Sequence, residues 1–161
     1  TQGVSSAASD VYKRQVPDKR YLALAVGPWA QHMTHVTLPL AKFTTHDGEQ
    51  RMRVDEEGQA SHTIFSIRQR YQNFTLLQAR LKTGRMHQIR VHMAANACPI
   101  AGDTKYGDLH VNRALAIRGL RRMFLHAWRL AFPHPVTGTF LQLEAPLPQE
   151  LSMFLDTLEI S

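Results

Sequence analysis

The spacing of apolar residues changes several times along this chain. From Arg20, the runs RYLALAV and THVTLPL, the second closed by Pro39, have the short apolar-rich pattern of strands. The polar segment THDGEQ, containing Asp47-Gly48, predicts a turn. SHTIFSIRQRY and FTLLQARLK follow, rich in β-branched and aromatic residues, and Gln72-Asn73 between them predicts a tight hairpin. Past Thr83-Gly84 the period lengthens. Ile89, Met93 and Ala97 are spaced by four through MHQIRVHMAANA, which predicts a helix of about three turns, ending near Asn96 and ahead of Pro99. A further helix is expected over Asn112 to Gly119, then strands at FLHAWRLAF and FLQLEA joined by HPVTGT, and a closing helix from Gln149 to Leu158 behind Pro148. This order predicts an α+β domain, a mixed, mostly antiparallel sheet with a few flanking helices.

The first fifteen residues, TQGVSSAASDVYKRQ, hold no sustained apolar period and are set apart as a foreign or disordered leader, leaving 16–161 as one domain. At 161 residues the chain is long enough to bury a core without disulfides or metals. No apolar run approaches the roughly 20 residues of a membrane helix. The one cysteine, Cys98, has no intrachain partner, and no signal-peptide pattern is present, so a reducing cytoplasm is the expected compartment. The net charge of +6 is unevenly placed. No acid occurs from Gly58 to Gly102, which carries Arg68, Arg70, Arg80, Lys82, Arg85 and Arg90, nor from Leu109 to Leu143, which carries five more arginines. Such segregation fits either a polyanionic partner or a solvated basic face.

The segment TGRMHQIRVH concentrates the candidate chemistry. A Gly-containing turn leads into a helix whose first turns hold Arg85, His87, Gln88 and Arg90 beside free backbone N–H groups. Arginines at a helix start are opposed by the macrodipole, which implies pairing with a carboxylate or phosphate, or else a solvated basic turn. His87 and His92 are five apart and so lie on different sides of a helix, and the other histidines lack Cys or acidic neighbours, so no metal site is expected. There is no G-x-S-x-G elbow and no phosphate loop. Asp103 and Asp108, next to Gly102 and Gly107, are expected to be turn residues.

TGRMHQIRVHMAANACPIAGDTKYGD resembles the TGR-x-HQIR-VH…HPI-GD…YG signature of the RluA family of RNA pseudouridine synthases, with Cys98 where the family usually has His. DKRYLALAVG resembles the family's K-x-Y-x-A motif, and LHAWRLAFPHPVTGTFLQLEAPLP its closing segment. The run from about Asp18 onward looks RluC-like, similar to bacterial enzymes that modify large-subunit ribosomal RNA. The resemblance implies isomerisation of uridine in RNA by an aspartate, with no cofactor, in a cytoplasmic monomer. Carried over by motif, Arg90 is the arginine that orients that aspartate, Tyr21 lies against the flipped base and accepts the C5 proton, and Ile89 is an apolar wall. Arg85, His87 and Gln88 fix the loop or contact RNA.

The family's HRLD-x-x-TSG aspartate motif does not occur in this sequence. Asp10 lacks its flanking residues, and Asp18 stands too near Tyr21. The chain is therefore expected to be the C-terminal part of a catalytic domain, inactive alone. It is also expected to have an exposed sheet edge, reduced stability, and an Arg90 that lacks its carboxylate and faces solvent or another acid. The alternative is a non-catalytic RNA-binding module.

Overall fold

The computed structural model describes residues 17–161, so the expected leader lies outside the described residues. In chain order the elements are β1 (Asp18–Val26), β2 (His35–Val36), β3 (Leu40–Thr44), β4 (Gln50–Val54), β5 (Thr63–Tyr71), β6 (Phe74–Leu81), α1 (Gln88–Ala95), α2 (Leu109–Ile117), β7 (Leu125–Pro133), β8 (Phe140–Glu144) and α3 (Gln149–Asp156). Six strands form one sheet in the order β2-β5-β6-β1-β7-β8, and each neighbouring pair is antiparallel. The α+β class and the mostly antiparallel sheet are as the sequence predicts.

The centre of the sheet follows from composition. Leu22, Ala23, Leu24 and Ala25 of β1 are all buried, and β6 matches them with Leu76, Leu77 and Ala79. Tyr21 pairs with Ala79 and Ala23 with Leu77, so these residues share one face. Ile89 and Met93 of α1 join the same core, and Leu151 and Phe154 of α3 complete it. The β5–β6 hairpin turns at Gln72-Asn73 as expected, with Asn73 at φ 66°. At the other end, β8 pairs with β7 alone and leaves Leu143 exposed, so the described sheet has a free edge there.

Three local expectations need correction. THVTLPL is not a continuous strand, since only His35 and Val36 pair with β5. The next carbonyls are diverted to other partners, that of Leu38 to His92 and that of Pro39 to Asp55 N–H. The sequence also predicts no strand at LAKFT or QRMRV, yet these form a two-stranded ribbon, β3–β4. The ribbon buries Leu40 and Met52 against Val91 of α1, with Met86 and Tyr106 beside them, too few buried positions to produce a visible period. Finally, α2 begins three residues earlier than expected because Asp108 caps it, accepting from the N–H groups of His110 and Val111.

The α1 helix ends at Asn96 as predicted but spans about two turns rather than three, because it begins only at Gln88, behind the left-handed His87. Ala97 then takes φ 60°, and Cys98 N–H returns to the carbonyl of Met93 at 3.1 Å. This closure reverses the chain into Pro99 and on to the turn at Gly102. Gly102 sits at φ +81°, and a Cβ there would lie 2.5 Å from the Arg122 carbonyl oxygen, so a side chain is excluded. Asp103 is thereby delivered beneath α1.

Candidate active site

The loop between β6 and α1 is held by one buried amide. Gln88, 2 % exposed, accepts at Oε1 from the Thr83 hydroxyl (2.7 Å) and from Arg85 N–H (3.0 Å), and donates from Nε2 to the His62 carbonyl and the Thr63 hydroxyl. The Thr63 hydroxyl in turn lies 2.8 Å from Nδ1 of fully buried His92, whose Nε2 reaches the Leu38 carbonyl at 2.9 Å. A carbonyl only accepts, so His92 carries its proton on Nε2 and Thr63 donates to Nδ1. Burial pushes the His92 pKa down and outweighs the opposing hydrogen bond to Leu38, so the ring is neutral. Arg85 donates from Nε and Nη2 to the Ala60 carbonyl. One of the free N–H groups expected near the helix start is therefore satisfied within the protein.

Arg90 faces another acid, one of the two alternatives expected for it, and that acid lies within this chain. Its Nε and Nη2 donate to the two oxygens of Asp103 at 2.9 and 2.7 Å, with the Asp103 side chain 1 % exposed. Asp103 is also a turn residue, as predicted, because Oδ1 accepts from the N–H groups of Lys105 and Tyr106. Burial pushes its carboxyl up, but the hydrogen bonds from Arg90 and the two amides outweigh this and hold the pKa below the usual range. The pairing was hidden because the turn at Gly102 folds a residue thirteen positions away back under the helix. With four hydrogen bonds accepted and almost no exposure, this carboxylate acts as a strut beneath Arg90. Arg90 Nη1 donates to none of the described residues, so one edge of the guanidinium remains open.

Tyr21, Arg85, His87, Gln88, Ile89 and Arg90, the six candidates from the sequence, line one cleft of about 260 Å³. Leu81, Met123 and Leu125 complete its wall, and these three the sequence did not single out. The volume lies just under the ~300–1,000 Å³ of ordinary ligand pockets, a size for one flat ring. Tyr21, from β1, makes no side-chain hydrogen bond to the described residues, while Ile89 presents apolar surface from α1. His87 sits at φ 55° ahead of α1 and contacts Tyr106, the tyrosine of the YG element of the signature, which the sequence left without a role. Burial, with the positive charges of Arg90 and Lys105, holds the His87 pKa below the usual histidine range. No group of three potential metal ligands occurs among the described residues.

An arginine clamped by an internal carboxylate, a tyrosine and an apolar wall around a ring-sized cleft suit binding and proton transfer on a planar base. The RNA pseudouridylate synthase family model matches residues 1–95, a span that includes the segment set apart as a leader. The chain belongs to that family. It is 44 % identical over 146 residues to the ribosomal large subunit pseudouridine synthase C of Pasteurella multocida (strain Pm70), covering 91 % of this chain and 45 % of that protein. It is also 44 % identical over 142 residues to the enzyme of the same name from Escherichia coli (strain K12), covering 87 % and 44 %. The chain thus spans less than half the length of these relatives. Among solved structures, human RNA Pseudouridylate Synthase Domain Containing 1 superposes with a TM-score of 0.70 at 23 % identity, over 100 % of this chain and 66 % of that one. The corresponding figures for Domain Containing 4 are 0.68, 22 %, 99 % and 70 %. No helix among the described residues is long and apolar enough to cross a membrane.

Proposed function

We propose that this chain forms the arginine- and tyrosine-bearing part of the active site of an RluC-like pseudouridine synthase acting on large-subunit ribosomal RNA. The observation that carries the proposal is the convergence of Tyr21, Ile89 and Arg90 on a single ring-sized cleft. In this reading the uridine base enters between Tyr21 and Ile89, flipped out of its stack. The glycosidic bond breaks, the uracil turns, and C5 rejoins the ribose. Tyr21 takes the proton that leaves C5. Arg90 orients the catalytic carboxylate through its open Nη1 edge, while Asp103 fixes its other edge.

That carboxylate is assigned to sequence outside this chain, with 16–161 as the C-terminal part of the catalytic domain and residues 1–15 as a leader. The enzyme is cytoplasmic, monomeric and independent of a cofactor, as the resemblance implies. The saturation of Asp103 gives the second reading its support, since by itself the chain then behaves as a non-catalytic RNA-binding module. The test is release of tritium from C5-labelled uridine in ribosomal RNA by the longer protein. Tyr21→Phe and Arg90→Lys should each lower the rate by about 100-fold or more. Variants that keep full activity would remove both residues from the mechanism.

A further inference from the structure

We propose that Tyr106 is a positioning residue of this cleft: its hydroxyl donates to His87 Nδ1 and fixes the imidazole as the Nε2–H tautomer, leaving one directed donor for the bound nucleotide. The Tyr106 oxygen accepts from Met52 N–H at 2.9 Å and lies 2.7 Å from His87 Nδ1. A phenol has one proton. If His87 were the donor, that proton would have no partner among the described residues, whereas the order Met52 N–H to Oη–H to Nδ1 satisfies all three groups. The rings also meet edge to face, with centroids 5.5 Å apart at 73°. With Nδ1 engaged, Nε2 is the nitrogen His87 has left for the cleft it lines.

Two further contacts make Tyr106 a hub. Its ring lies under the Arg90 guanidinium, 5.1 Å from ring centroid to Cζ, and its backbone N–H donates to Asp103. One residue thus touches two polar groups of the cleft, His87 and Arg90, and ties them to β4 through Met52. His87 holds a left-handed backbone at φ 55° without being glycine, a strained conformation that persists where surrounding contacts fix it. The charged groups around the imidazole are Arg90 of α1, Asp103 and Lys105 of the following turn, and Glu49 beside β4.

The tautomer stands on geometry alone, while its service to a nucleotide rests on the function proposed above. The test is long-range proton–nitrogen NMR of His87 in this chain. The expected spectrum shows Nδ1 as an unprotonated acceptor and Nε2 protonated. In Tyr106→Phe, which keeps the ring under Arg90, the two tautomers should mix, and the titration midpoint of His87 should rise because the lost donor favoured the neutral ring. A wild-type Nδ1–H tautomer, or a Phe variant indistinguishable from wild type, overturns the proposal. If the variant fails to fold, the wild-type spectrum decides alone. Adding a uridine-containing RNA oligonucleotide should then shift the His87 Nε2–H resonance. RNA that shifts Tyr21 and Arg90 but not His87 overturns the donor role alone. RNA that shifts nothing overturns the proposed function, with the tautomer of the free chain still deciding the part of Tyr106.

Discussion

Replacing Asp103 by asparagine removes the counter-charge of Arg90 at nearly constant shape. The asparagine oxygen can still accept from Lys105 and Tyr106 N–H, but the amide nitrogen then faces the Arg90 guanidinium that Asp103 now binds at 2.7 and 2.9 Å. Removing one partner of a buried ion pair costs about 3–5 kcal/mol. Arg90 keeps slight solvent access, 13 % of its side chain, so the lower end, ~3 kcal/mol, is expected. Urea denaturation of wild type and Asp103→Asn measures this as a lower midpoint at unchanged slope. The pH dependence adds a second signature. A carboxyl held below its ordinary pKa of about 3.9 contributes stability that is complete above that value and is lost as pH falls through the folded pKa. The gap between the two proteins should therefore be constant near neutrality and shrink below about pH 4. A loss under about 1 kcal/mol, the range of exposed ion pairs, would refute the strut role of Asp103.

Three other outcomes are expected. Gln88→Leu leaves the partners of a four-bond amide unsatisfied and should destabilise by about 2–4 kcal/mol, read as a fall in melting temperature. His92, neutral because burial depresses its pKa, supplies stability that is complete above the unfolded value of ~6.5 and falls as pH drops below it. Replacing it by glutamine should flatten the stability profile as pH falls below about 6.5, and an unchanged slope would assign it elsewhere. Ala97 occupies the left-handed position closing α1, where glycine is the usual residue, so Ala97→Gly should stabilise by about 0.5–1 kcal/mol in the same urea assay.

Much of the scaffold was legible because its signals are local. β1, β5 and β6 announce themselves by dense apolar and β-branched runs, the hairpin by Gln72-Asn73, and α1 by residues spaced at four. The β3–β4 ribbon was not, since it buries little beyond Leu40 and Met52, and its identity depends on the helix it docks against. The cleft was legible through resemblance: the motifs named Tyr21 and the stretch from Arg85 to Arg90, and the fold places them side by side. Long-range partners were not. Asp103 reads as a turn residue by its neighbours, and it is one, yet only the chain reversal at Ala97 and Gly102 reveals it as the mate of Arg90. Tyr106 sits in the same turn and carried no spacing signal that would tie it to His87 or Met52.

In the proposed function this chain carries the base-binding, arginine-bearing part of a synthase site and the nucleophilic carboxylate lies in another segment. Tritium release from C5-labelled uridine in ribosomal RNA, measured for these 161 residues and for the protein at its relatives' full length, tests it directly. Turnover is expected from the longer protein and none above background from this chain, whereas turnover by the 161 residues alone would place the nucleophile within them.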